Sequence, residues 1–224
     1  MGTVRIVSTQ PQAFEDRREA ALALAEELSD LRGQRPVVLA IPRGAVPMAA
    51  VLAEELGGEL DVVIVRKLRA PHHPEFAIGA MTEGGHVMLH EDVVRRLRVP
   101  QSYLAQEQQE QLGRIEERKR RYRSVREKVP LEGRVVVVVD DGFATGATMR
   151  AALWGARREN PERLIAAAPV GAPDTVREMA DHADEVVCLR APAAFGAVGA
   201  FYRRFDQVSD DEVVAVLRRA AQAV

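Results

Sequence analysis

The 224-residue chain reads as an α/β protein built on an open parallel sheet with flanking helices. A β-hairpin, a helical segment over residues 91–128 and a small irregular region over 190–208 complete one domain, 1–224. Three observations predict this class. Val135 to Val139 is an unbroken β-branched run, the pattern of a strand buried on both faces of a parallel sheet. Strand-like and helix-like segments alternate along most of the chain. Two of the apolar runs end in charged residues and small-residue turns that lead into helices, at Asp140-Asp141 and at Pro42-Arg43-Gly44. In open α/β sheets that edge is where ligands bind.

Taken in order, Val4 to Val7 predicts a short strand. Residues 12–31 predict an amphipathic helix with Phe14, Ala20, Ala21, Leu24, Leu28 and Leu31 on one side. Gly33 suits its C-cap, and its DRREA segment reads as a solvated face. Pro36 to Ile41 is a strong strand, followed by the Arg43-Gly44 turn and a helix from Met48 to Leu56, stopped by Gly57-Gly58. A cation beside free N–H groups at such a turn makes an anion site. Asp61 to Val65 is the next strand, ending in Arg66-Lys67-Leu68-Arg69; if the strands are parallel, these cations share the ligand edge.

Ala70 to Glu75 carries two prolines and no apolar anchor, which predicts a mobile loop. Its adjacent His72 and His73 do not converge on one ion, and no Cys or carboxylate cluster accompanies them. Phe76 to Met81 and His86 to His90 predict a hairpin around Glu83-Gly84-Gly85. A short helix covers Glu91 to Leu97. Pro100 then opens a long helix to about Arg126. Its ERKRRYR run is interleaved with Glu107, Glu110, Glu116, Glu117 and Glu127, so a solvated helix or an oligomer contact is expected rather than an RNA surface.

Beyond the central strand, a helix from Met149 ends near Asn160-Pro161. Leu164 to Val170 is a strand, Pro173 to His182 a helix, and Glu185 to Leu189 a strand whose Cys188 packs in the core. Arg190 to Asp206 breaks the alternation and gathers Phe195, Phe201, Tyr202 and Phe205. Ser209 caps a last helix, Asp210 to Ala223.

The chemistry centres on Asp140-Asp141-Gly142-Phe143-Ala144-Thr145-Gly146-Ala147-Thr148. The small-residue turn and the helix that follows offer backbone N–H groups and a helix dipole to a phosphate. The two carboxylates would repel that phosphate. They need a hydrogen-bond donor such as a sugar diol, or a divalent cation. A ligand with a phosphate beside a diol fits both halves. A nucleotide P-loop would need a Lys in this turn, and the dinucleotide pattern G-x-G-x-x-G is absent from it.

This stretch resembles the 5-phosphoribosyl pyrophosphate (PRPP) motif of the type I phosphoribosyltransferases. There, an apolar strand is followed by two acids, two variable residues, a small residue or Thr, and Thr-Gly-x-Thr. The resemblance implies transfer of a 5-phosphoribosyl group from Mg²⁺-bound PRPP to a nitrogen heterocycle such as a nucleobase, with release of pyrophosphate. It implies that Asp140 and Asp141 hold the ribose hydroxyls and help place Mg²⁺, directly, through those hydroxyls or through water. Ala144, Thr145, Gly146, Ala147 and Thr148 would wrap the 5′-phosphate. Arg43 and Gly44 would form the pyrophosphate loop, where a non-proline cis peptide at Pro42–Arg43 is expected. Arg66 and Lys67 would stabilise the leaving group, and the loop at 70–75 would close over PRPP, with Glu75 a candidate acid–base group.

The region 190–208 corresponds to the family's variable hood, so Phe195, Phe201 and Tyr202 are candidates for the acceptor pocket. Residues 91–128 are a helical insertion relative to a minimal member. Family enzymes acting on 6-oxopurines often place Asp where this chain has Ala144, and the acceptor base is left open. A non-catalytic PRPP-binding sensor on the same fold is the alternative.

Composition narrows the setting. A hydrophobic fraction of 47% supports a sizeable core, and the formal net charge of -2 argues against a general nucleic-acid binder. The single cysteine allows no intramolecular disulfide and fits a reducing compartment. No apolar run approaches the ~18 residues of a membrane span, and the N-terminal residues have no hydrophobic signal core. A cytoplasmic protein is expected, with a homo-oligomer as an open option.

Overall fold

Each face of the central Val run has its own core. In a strand, successive side chains point to opposite faces. Val135, Val137 and Val139 join a cluster with Leu24, Leu52 and Leu217, while Val136 and Val138 join another with Leu153, Leu164 and Val176. The run is unbroken because neither face meets water. The computed structural model describes residues 2–71 and 73–222, without the side chains of Pro74 and Glu75. His72 and the expected acid–base role of Glu75 lie outside the described residues, as does Ala223.

The main sheet has six strands: β1 (Thr3–Ser8), β2 (Val37–Ala40), β3 (Glu59–Val62), β7 (Val135–Val139), β8 (Arg163–Val170) and β9 (Glu185–Arg190). Their order across the sheet is β1-β9-β8-β7-β2-β3, and every pairing is parallel. Helices α1 (Arg17–Glu27), α2 (Ala45–Leu56) and α7 (Asp210–Gln222) bury residues in the first cluster. Helices α5 (Ala147–Arg157) and α6 (Pro173–Glu178) bury theirs in the second. No described helix is long and apolar enough to cross a membrane.

Local rules account for most boundaries. Asp16 caps α1 by accepting from the Arg18 and Glu19 N–H groups, so the helix begins at Arg17 rather than at the expected residue 12. Phe14 instead pairs with Tyr202 in an isolated bridge. Helix α2 starts at Ala45, ahead of the expected Met48, and ends on Gly57 in the left-handed conformation. Ser209 and Glu212 form a reciprocal capping box on α7: the Glu212 N–H donates to Ser209 Oγ (3.2 Å), and the Ser209 N–H donates to Glu212 Oε2 (2.7 Å). Cys188 is fully buried, and burial pushes its thiol up to about 12.

Three expectations over residues 61–126 need correction. The strand carrying Asp61 ends at Val62, and Arg66, Lys67 and Arg69 lie inside a new strand, β4 (Val65–Ala70). It pairs antiparallel with β5 (His73–Thr82), and β5 pairs with β6 (Val87–Leu89), making a separate three-stranded sheet. Val65, Leu68 and Ala70 are buried while the charged residues between them are not, so a strand face underlies what reads as a basic loop. Strand β4 runs to Ala70 and β5 starts at His73, so residues 73–75 of the mobile loop expected at 70–75 belong to a strand. The hairpin at 83–85 forms as expected.

The last correction concerns the helical segment expected at 91–128. It comprises α3 (Glu91–Arg96) and α4 (Gln101–Arg123). Helix α4 is not simply solvated: Leu104, Glu107, Gln111, Ile115 and Tyr122 are buried at helical spacing. Glu107 binds Arg69 in β4 (2.8 Å), and at the far end Arg123 joins Asp61 (2.5 Å) and Glu83 (2.9 Å). The helix is thereby tied to both sheets.

Candidate active site

Strand β7 ends at Val139, and its next two residues turn off the carboxyl edge of the sheet. Strand β8 pins the turn from below. The Asp140 N–H donates to the Ala167 carbonyl, and the Phe143 N–H donates to that of Val170. Phe143 is fully buried and anchors the turn, while Ala144 and Thr145 above it are exposed. Thr175 Oγ1 donates to the Ala144 carbonyl at 2.9 Å.

Gly146 has φ +69°, and a Cβ there would lie 2.7 Å from Thr175 Cγ2 and 2.8 Å from Met179 Cε. Only glycine satisfies both demands. Gly146 is also the N-cap of α5, where no side chain takes the helix's first N–H groups. Those donors, with the hydroxyls of Thr145 and Thr148, form a cradle for an anion.

The two carboxylates differ. Asp140 is half-buried, and its Oδ1 accepts the Asp141 N–H at 2.9 Å. Burial first, and the neighbouring Asp141 charge second, push the Asp140 carboxyl well above the ordinary carboxylate range. Asp141 is held from outside the motif. Its Oδ2 accepts from Arg17 Nε (3.3 Å) and Nη2 (3.1 Å), and its carbonyl accepts from Tyr202 Oη (2.7 Å). Gly44 packs against the same carboxylate: a Cβ there would fall 2.2 Å from Asp141 Oδ2. The peptide Pro42–Arg43 is cis.

Arg17 is the residue that sequence reasoning missed. It belongs to the DRREA segment expected to be a solvated face, yet its side chain is only 13% exposed. It also donates to the Asp206 carbonyl (2.9 Å) and lies over the Phe205 ring (4.0 Å). A signal was available: Arg17 precedes Ala20, Ala21 and Leu24 by three, four and seven residues, which places it on the buried stripe of α1.

The remaining candidates fall into three places. Arg66 and Lys67 line a cavity of about 300 Å³ together with Pro42, Gln111, Arg118 and Thr148. The cavity therefore joins the Pro42 turn, the end of the anion cradle and β4. Arg43 points elsewhere, toward Asp210 on α7 (3.5 Å). Among the aromatics, Phe201 and Tyr202 are buried, with rings stacked on Phe195 (5.3 Å) and Phe205 (4.8 Å) respectively. Phe195 is half-buried.

Among the described residues no three His, Cys, Asp or Glu side chains gather as a metal cage. Mg²⁺ requires none: it keeps several waters and is held by one or two carboxylates plus substrate phosphates. The adjacent Asp140 and Asp141 fit an ion of that kind.

Comparison with known proteins identifies the family. The phosphoribosyl transferase domain family matches residues 8–206. The chain is 47% identical over 207 residues to proteins named "Putative phosphoribosyl transferase MT0597" and "Putative phosphoribosyl transferase Rv0571c", from two strains of Mycobacterium tuberculosis. The match takes in 92% of this chain and 47% of those proteins, so the chain spans about half the length of the curated relatives it matches. The crystal structure of TT1426 from Thermus thermophilus superposes with a TM-score of 0.84 at 48% identity, covering 93% of this chain and 99% of that one. With the family matched across nearly its whole length, the chain belongs to the phosphoribosyl transferase family.

Proposed function

We propose that the chain transfers a 5-phosphoribosyl group from PRPP, bound with Mg²⁺, to a nitrogen of a heterocyclic base and releases pyrophosphate. The observation that carries this reading is the adjacency, at the tip of β7, of a carboxylate pair and an uncapped helix N-terminus. The 5′-phosphate takes the N–H groups and hydroxyls of the 144–148 turn. Asp140 and Asp141 accept from the ribose hydroxyls and so orient C1. Arg17, already on Asp141, keeps that carboxylate in place.

Transfer breaks the bond from C1 to the pyrophosphate oxygen and forms the bond from C1 to the acceptor nitrogen with inversion, while the acceptor's proton leaves. Negative charge grows on the departing diphosphate. Arg66 and Lys67 face the cavity where it would lie, beside the Pro42–Arg43–Gly44 turn. Arg43 contributes through its backbone unless it leaves Asp210. When bound, Mg²⁺ neutralises part of the diphosphate charge. The acceptor ring rests on the partly exposed Phe195, since Phe201 and Tyr202 are already enclosed.

The test is pyrophosphate release from PRPP across a panel of nucleobases. Release that depends on one base and on Mg²⁺, and that disappears on combining Asp140→Asn with Asp141→Asn, is the expected result. Release indifferent to chelator or to that pair of substitutions refutes the mechanism. Tight PRPP binding without release on any base would instead favour a sensor.

A further inference from the structure

We infer that α4 is a working wall of the anion cavity and that its Arg118 is a third cation for a diphosphate group, whether that group is still on the sugar or already released. This rests on the transfer reading above and gives the inserted helix a part in it. The first support is position. The buried stripe of α4 runs Leu104, Glu107, Gln111, Ile115, Tyr122, and Arg118 falls three residues after Ile115 and four before Tyr122, on the same side. A guanidinium on a buried stripe needs a reason. Here the stripe passes the cavity, which Arg118 lines with Arg66, Lys67 and Thr148.

The second support is the pattern of ion pairs. Near Arg118 most cations are matched: Arg114 with Glu110, Lys119 with Glu116, Arg121 with Asp211, and Arg123 with Asp61 and Glu83, while Arg120 lies exposed on the other side of the helix. Arg69 is held by Glu107 and Glu110. Among the described residues, Arg66, Lys67 and Arg118 have no carboxylate partner. A neighbouring hollow of about 210 Å³ is lined by Arg66, Arg114, Arg118 and Arg121, with the carboxylates of Glu117 and Asp210 on its rim.

The third support is preorganisation. Arg66 Nε donates to Gln111 Oε1 (3.1 Å), and Gln111 Nε2 donates to Glu107 Oε1 (3.1 Å). The guanidinium is thus aimed by α4 without being neutralised. Burial, then the nearby charges of Arg118 and Arg114, lower the Arg66 pKa. Like charges held this close are relieved when a polyanion enters between them.

Isothermal titration with Mg²⁺-pyrophosphate and, separately, with ribose 5-phosphate tests the assignment. Arg118→Gln should weaken pyrophosphate at least about tenfold, the scale of one lost charge-assisted contact, and leave ribose 5-phosphate unchanged. Arg118→Lys should recover part of the loss. Arg120→Gln, an equal charge change on the exposed side of α4, should bind both like the unmodified protein.

Unchanged pyrophosphate affinity in Arg118→Gln overturns the inference while leaving the transfer reading intact, and so does an equal loss of both ligands. Pyrophosphate binding that depends on Arg118, in a protein that binds neither ribose 5-phosphate nor PRPP, upholds the diphosphate cavity and overturns the transfer reading.

Discussion

Replacing Gly44 by Ala isolates the contact between the two loops of the site. Gly44 has φ -57° and ψ -37°, an ordinary helical conformation, so Ala meets no backbone strain there. On backbone grounds alone it should stabilise by about 0.4–1 kcal/mol through the unfolded chain. Its Cβ, however, would stand 2.2 Å from Asp141 Oδ2. An ordinary contact requires the carboxylate to retreat by roughly 1 Å, which stretches both bonds from Arg17, now 3.1 and 3.3 Å. Overpacking of this kind costs about 1–3 kcal/mol, so a net loss of about 1–2 kcal/mol follows. For a chain of this size that lowers Tm by roughly 2–8 °C.

Differential scanning calorimetry on Gly44→Ala, Asp141→Ala and the double variant gives the coupling. With the carboxylate gone the clash is gone, so Gly44→Ala should be neutral or stabilising in the Asp141→Ala background. Equal costs in both backgrounds, or a Tm unchanged by Gly44→Ala alone, would show that the two loops do not press on each other.

Asp140 makes stability depend on pH. Its folded-state carboxyl is raised above the ordinary value, so the folded chain holds its proton more tightly than the unfolded one. Stability is fully present below the unfolded value of about 3.9 and falls as pH rises toward the folded value, with a limiting slope of about 1.4 kcal/mol per pH unit. In metal-free buffer, Asp140→Asn should therefore be more stable than the unmodified protein at neutral pH, with the gap closing near pH 4; denaturant titrations at several pH values decide it. Arg17→Gln should lower Tm by roughly 2–4 °C per kcal/mol of the lost charged contacts, and calorimetry showing no change would make the ion pair irrelevant to the fold. Ser209→Ala, which opens the capping box of α7, should cost about 1 kcal/mol in urea unfolding; no cost would mean the box contributes nothing.

The parts legible in the sequence are those whose physics is local or periodic. The Val135–Val139 run, Gly57 as a helix stop, and Ser209 as a cap each depend on near neighbours in the chain, and each stands where expected. The cis Pro42–Arg43 peptide follows from family resemblance rather than from periodicity.

What periodicity conceals is partnership. Arg17 and Asp141 are 124 positions apart, and nothing in a helical pattern names the distant acid, although the pattern does mark Arg17 as facing inward. The β4 strand is hidden for a different reason. Its charged residues suggest a loop, whereas Glu107, Gln111 and Glu110 on α4 satisfy Arg66 and Arg69 and let a strand form there. Helix α4 shows its exposed charges in the sequence, while its buried Glu107, Gln111 and Tyr122 decide where it packs.

The functional reading stands on a sugar phosphate lying across the tip of β7. A crystal structure of the protein with Mg²⁺ and PRPP would settle its position. The 5′-phosphate should occupy the turn of Ala144 to Thr148, with ribose hydroxyls within about 3 Å of Asp140 and Asp141. Ligand density lodged elsewhere, with that turn empty and both carboxylates without a hydroxyl partner, would be incompatible with the reading.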